Sequence, residues 1–118
     1  MKRKYTKKKG HFFPVPNELF SLNLCADEIA IYCFLMSRED RKKYTCHPSF
    51  ATIGKALNLS KNTVIKYVRS LEDKELIETE RTQIFTESGL KWNGSLMYRI
   101  LPIHQAVDTF HQRQLEKY

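Results

Sequence analysis

Asn62, Lys66 and Arg69 are spaced by four and then three residues, which stacks their side chains along one face of a helix. Lys61, Thr63, Tyr67 and Ser70 flank that stripe, and no acidic residue interrupts it before Glu72. The chemistry of these types is that of nucleic-acid contact. An asparagine amide can make a bidentate pair with adenine, and a lysine can reach guanine or a phosphate. Asn62 and Lys66 are therefore expected to read base edges, with Arg69 beside them. Lys61, Thr63, Tyr67 and Ser70 are expected to meet phosphates, which position a protein on DNA without specifying sequence. Other chemistries are poorly served. Cys46-His47 suggests a metal, but the chain has neither Cys-x-x-Cys nor His-x-x-x-His spacing to complete a zinc site. It has no glycine-rich phosphate loop and no nucleophile with a convincing base partner. No enzyme activity, metal or cofactor is expected, and His104 and His111 read as surface residues of a terminal helix.

The elements that must position that stripe follow from periodicity. Ser60 is placed to cap a helix whose inward side is Val64, Val68 and Leu71. Ahead of it, Pro48 and Ser49 start a helix with Phe50, Ile53 and Leu57 inward; Asn58-Leu59 breaks the period, with Leu59 plugging the turn. Gly54 sits mid-helix at a cost near ~1 kcal/mol relative to alanine, which implies close approach of a neighbouring helix. Asp27 to Ser37 is apolar nearly all round, so it should lie at the centre of the domain with Cys33 in its core, ending at the polar run Arg38–Lys43. Asn17 is expected to cap a short helix through Phe20. After Glu75 the pattern becomes alternating: Leu76 to Thr82 and Leu96 to Ile103 predict a β-hairpin around a polar loop with turn signals at Ser88-Gly89 and Asn93-Gly94. Its wing, Arg81 to Asn93, offers Arg81 and Lys91 to a DNA backbone or minor groove; Trp92 more often covers local core. Residues 104–118 predict a last helix whose Val107, Phe110, Leu115 and Tyr118 serve self-packing or a homodimer seam equally well.

At 118 residues and 42% hydrophobic content the chain holds one domain with a real core. No apolar run approaches the ~18 residues of a membrane span, and no signal-peptide pattern follows the basic start. Three cysteines are too few and odd in number for a disulfide scaffold, which favours a cytoplasmic setting. Of the +7 net charge, six basic residues fall within residues 1–9; the rest carries 14 basic and 13 acidic side chains. Residues 1–11 are thus expected to be a disordered basic tail, able to touch polyanions. Residues 12–103 form the expected domain, with His11 to Pro16 extended over its edge.

Helix, short helix, tight turn, helix and hairpin follow one another in the order of a winged helix-turn-helix, a mainly α fold with a small β-hairpin. The stretch from Phe13 through Glu80 resembles winged helix-turn-helix domains of bacterial phage, plasmid and conjugative-element proteins. The matching residues are Val15-Pro16-Asn17, Glu28-Ile29-Ala30-Ile31-Tyr32, Cys46-His47-Pro48-Ser49, Ser60-Lys61-Asn62-Thr63-Val64 and the exit Leu71–Ile77. Replisome organisers with a DnaD-like N-terminal domain are similar, and GntR-type DNA-binding heads more distantly. Two positions depart from the pattern. Glu75 stands where glycine usually closes the recognition helix, implying a longer or differently turned exit. Cys25 replaces the serine or threonine that commonly caps the first long helix. The resemblance implies double-stranded DNA as partner, with no membrane or small-molecule ligand. It implies a bacterial transcriptional regulator acting by occupancy, or a replication or transfer accessory protein of a mobile element. A winged-helix protein-interaction module without specific DNA binding is the alternative class.

Overall fold

The computed structural model describes residues 12–85 and 91–117, with side chains between 82 and 95 outside the description. Its elements run α1 (Ala26–Arg38), β1 (Thr45–Cys46), α2 (Phe50–Leu57), α3 (Lys61–Asp73), β2 (Ile77–Phe85), β3 (Lys91–Ile100) and α4 (Ile103–Glu116), preceded by a 3-10 helix at Asn17–Ser21. The basic residues of the tail, Ser88-Gly89 and Tyr118 lie outside the described residues.

The apolar periodicities dictate the packing. Ile31, Tyr32 and Leu35 from α1, Ile53 from α2, and Val64, Val68 and Leu71 from α3 close a single core with Leu19, Leu76, Ile77 and Tyr98. Cys33 packs against that core half-buried. The sheet has the antiparallel order β1-β3-β2. Two-residue β1 has no periodic signature of its own; it exists because Thr45 and Cys46 pair with Arg99 and Tyr98 of β3. Asn93-Gly94, expected as a turn, falls instead within β3. The pairs Arg81↔Leu96 and Gln83↔Asn93 leave Gly94 and Ser95 of β3 opposite Thr82 of β2, so Asn93 joins the ladder and Gly94 falls in a β-bulge.

Three local expectations need correction. Asn17 does not cap the first short helix: extended Pro16 occupies that position, with no side-chain cap bond among the described residues. Gly54 is required by the turn rather than by the body of a neighbouring helix. A Cβ there would lie 2.6 Å from the Leu59 carbonyl oxygen, and Val64 is farther at 3.7 Å. Glu75 does not lengthen the exit of α3. It takes the left-handed conformation itself, at φ 61°, and the Leu76 amide donates to the Leu71 carbonyl at 3.0 Å. That is the bond pattern of a glycine-closed helix, achieved by a glutamate.

The chain after the hairpin returns to its own domain. Ala106 is buried, and Ile103, Val107 and Phe110 pack against the core, while Leu115 remains 75% exposed. His104 and His111 are exposed on α4. Among the described residues no helix is long and apolar enough to cross a membrane.

Candidate nucleic-acid interface

Two serine caps and one left-handed asparagine build the helix-turn-helix. Ser49 Oγ accepts from the Thr52 amide at 3.0 Å and Ser60 Oγ from the Thr63 amide at 3.2 Å, each satisfying a donor that the first helical turn leaves free. Between them Asn58 adopts φ 58°, ψ 46°, and the Leu59 amide returns to the Gly54 carbonyl at 2.8 Å. Leu59 packs inward, as its position in the turn suggests.

On α3 this geometry turns Lys61, Asn62, Lys66 and Arg69 to solvent while Val64, Val68 and Leu71 are buried. Thr63 is half-buried, and its hydroxyl shares a 2.8 Å hydrogen bond with Ser60. Tyr67 and Ser70 lie on the flank facing α1 rather than on the outward stripe. Ser70 Oγ donates to Glu28 Oε2 at 2.7 Å, so its proton is already committed. Hydrogen bonding with the Cys25 side chain, helped by the nearby Asp27 and Glu28 charges, pushes the Tyr67 phenol above its ordinary value. Lys66 Nζ rests 5.2 Å from the Tyr67 ring centroid. Arg81 is exposed near the start of the hairpin. Lys91 opens β3 opposite Phe85; its side chain, and that of Trp92, lie outside the described residues.

Ile65 was not singled out by the periodicity argument. It is half-exposed and does not pack on the core, although it stands four residues from both Lys61 and Arg69. Its place between two cations on one helical strip was the available signal. An apolar side chain there suits a thymine methyl group.

The acids at the end of α3 are tied back, which gives the helix its polarity. Glu72 accepts from Thr79 of β2, and Asp73 pairs with Arg113 of α4 at 3.1 Å. Glu28, only 4% exposed, receives Lys74 Nζ at 3.0 Å and the Cys25 amide at 3.1 Å. Burial acts to raise the Glu28 pKa; hydrogen bonds from Ser70, Lys74 and Cys25 outweigh it and hold the carboxyl below its ordinary value. Glu28 therefore completes the N-terminal turn of α1, where Cys25 is the weaker capping residue, and fastens it to α3. Among the described residues Lys61, Lys66 and Arg69 form no ion pair, leaving the outward face of α3 positive. The amide-rich helix start adds roughly half a positive charge.

The cysteine singled out for its neighbouring histidine is a core residue. Cys46 is buried, donates to the Leu35 carbonyl at 3.5 Å, and has its thiol pushed up to about 11, first by burial and then by Glu39. Among the described residues no three His, Cys, Asp or Glu side chains gather as metal ligands.

Residues 22–77 match the model of a family described as a helix-turn-helix domain. No curated protein matches the chain. Among solved structures, a possible transcriptional regulator from Methanosarcina mazei Go1 is similar with a TM-score of 0.53 at 21% identity, over 83% of this chain and 76% of that one. ZitR, a zinc-responsive MarR family member from Lactococcus lactis, is similar with a TM-score of 0.51 at 18% identity, over 94% of this chain and 69% of that one. The order of elements, the bonded turn between α2 and α3 and these likenesses identify the fold as a winged helix-turn-helix.

Proposed function

We propose that this protein binds double-stranded DNA through α3 and acts as a transcriptional regulator by occupying its site. One observation carries the reading: the outward face of α3 presents Lys61, Lys66 and Arg69 without ion-pair partners among the described residues, while the acids that follow are bonded to β2 and α4. Such a helix suits the major groove, with Asn62 and Lys66 at base edges and Lys61 and Thr63 at phosphates. Arg69 and Ile65 extend the surface, and Arg81 and Lys91 of the hairpin would reach the flanking backbone. Ser70 and Tyr67, turned towards α1, act by supporting the helix. The printed descriptions of the two structural neighbours, a possible transcriptional regulator and a MarR family member, favour regulation. A replication or transfer role on a bacterial mobile element rests on sequence resemblance alone. A homodimer reading two half-sites about one helical turn apart would join through the exposed end of α4 around Leu115. No step of this reading calls for catalysis.

The test is fluorescence anisotropy with duplex DNA across a salt series. It compares the full chain, a variant lacking residues 1–9, Lys66→Ala, and Asn62→Ala/Lys66→Ala. The double variant is expected to lose most binding, and loss of Lys66 alone to lower the salt slope by about one unit. Removal of residues 1–9 should flatten the slope while sparing discrimination between sites. If the double variant binds as the full chain does while the truncation abolishes binding, the reading fails and the domain is a protein-interaction module with a polyanion-binding arm.

A further inference from the structure

Two grooves of about 640 and 520 Å³ meet at the end of the sheet away from the hairpin loop, sharing Met36, Glu39 and Tyr44 as a common wall. Phe12, Phe13 and Pro14 help to line the first. Pro16, Leu101 and Ile103, with buried Tyr32, line the second. Among the described residues none from α2 or α3 lines either groove. The strand pairing fixes their place. Thr45 pairs with Arg99, where β3 ends, whereas the loop proposed to meet DNA joins the opposite ends of β2 and β3.

Tyr44, between the grooves, is 61% exposed, and Phe12 beside it 63%. The Tyr44 backbone is left-handed, at φ 57°, a region that a bulky side chain enters only at a cost. Its loop imposes that conformation. The Asp40 amide donates to the Thr45 carbonyl at 2.9 Å, the Tyr44 amide donates to the Asp40 carbonyl at 2.6 Å, and the Asp40 carboxylate accepts from the Lys42 amide at 2.8 Å. Asparagine or glycine would fit there with less strain, and Tyr44 gains no packing against the core in return. Strain kept at a surface tyrosine points to a contact made outside the chain. The surrounding charge selects the partner. Arg41, Lys42 and Lys43 are exposed and form no ion pair among the described residues. Glu39 is half-buried, and burial pushes its carboxyl up against the pull of Arg41. In the sequence Lys7, Lys8 and Lys9 closely precede Phe12, so the chain tethers three more cations to the first groove.

We infer that this face docks a segment of a partner protein in which carboxylates are interspersed with aromatic or leucine side chains. The apolar side chains enter the two grooves on either side of Tyr44, and the carboxylates meet Arg41, Lys42 and Lys43. A second copy of this chain, at net charge +7, brings the wrong sign. A phosphate backbone would meet apolar walls at Met36, Pro16 and Ile103. Because the grooves lie away from the hairpin loop, a partner held there stays bound while α3 occupies DNA. Docking itself is independent of the DNA-binding proposal.

The experiment titrates the full-length, 15N-labelled protein with three synthetic peptides of equal length and follows amide chemical shifts. One intersperses Asp and Glu with Phe and Leu; the second replaces its Phe and Leu by Ser; the third replaces its Asp and Glu by Lys. The first is expected to give saturable shifts centred on Met36, Tyr44 and Ile103. The other two should bind at least about tenfold more weakly. Tyr44→Asn should weaken the first peptide about five- to tenfold without lowering the melting temperature, because asparagine accepts the left-handed backbone. Arg41→Glu/Lys43→Glu should weaken the first peptide and strengthen the third. Absence of saturable binding by the first peptide, equal binding by either of the others, or shifts centred on α3 would each overturn the inference. Unchanged affinity in both variants would do so as well. Displacement of the first peptide by duplex DNA, with the same shifts at Tyr44, would assign the face to nucleic acid instead. The three-peptide comparison on the unmodified protein stands even if a variant folds poorly.

Discussion

Replacing Glu28 by glutamine tests whether the buried carboxylate holds α1 and α3 together. Three groups meet it in four contacts: the Cys25 amide at 3.1 Å, Ser70 Oγ at 2.7 Å, and Lys74 Nζ at 3.1 and 3.0 Å. Hydrogen bonds to a charged group contribute about 1.5–3 kcal/mol each, but desolvating the carboxylate cancels much of that sum. Glutamine preserves volume and one acceptor, and Lys74, one-third exposed, can turn to water. A loss of about 1–2 kcal/mol at pH 7 is expected for Glu28→Gln, and about 3 kcal/mol for Glu28→Ala, which also strands Ser70 and opens a void. The pH dependence has a definite sign. Because the folded pKa lies below the ordinary value, the unfolded chain binds the proton more tightly. The contribution is complete above the unfolded carboxyl pKa and is lost as pH falls through the folded one. The gap between the unmodified protein and Glu28→Gln should therefore stay constant near neutrality and close below about pH 4. Urea unfolding at pH 7 and at acid pH measures it. Equal stability at pH 7, or a gap that persists undiminished in acid, refutes the account.

Substitutions at three further positions probe the backbone and the core. Gly54→Ala should cost about 2–3 kcal/mol, since its Cβ would press on the Leu59 carbonyl and displace the turn; a melting temperature equal to that of the unmodified protein would contradict this. At position 75, Gly should be more stable than Ala by about 1 kcal/mol, because only the former enters the left-handed region freely. Glutamate offsets part of that strain by accepting from Thr109 of α4, so the two replacements are compared with each other by denaturant midpoint. The Tyr98 hydroxyl is buried without a hydrogen-bond partner among the described residues, and burial pushes its phenol well above the ordinary value. Tyr98→Phe should thus be neutral or stabilising by about 1 kcal/mol; a loss of similar size would mean that the hydroxyl has a partner in solution.

The helices α1, α2 and α3 and the inward triplet Val64, Val68 and Leu71 were legible in the sequence, because 3.6-residue periodicity and serine caps act over a few residues. So was the basic stripe on α3, since a helix imposes the relative directions of its own side chains. Three-dimensional pairing decided the rest. β1 exists only because Thr45 and Cys46 meet a strand more than fifty residues away in the chain, and no local pattern encodes that meeting. The bulge that takes in Gly94, with Asn93 paired beside it, likewise follows from register with β2 rather than from the dipeptide. Tyr67 and Ser70 belong to the same helix as Lys66 and have the right chemistry for phosphate. The position of α1 turns one towards Cys25 and commits the other to Glu28. Nothing in one dimension pairs Glu28 with Lys74 or Asp73 with Arg113. Coulombic and hydrogen-bond partners depend on distance in space, so only the folded chain could pair them and leave Lys61, Lys66 and Arg69 without an ion pair among the described residues.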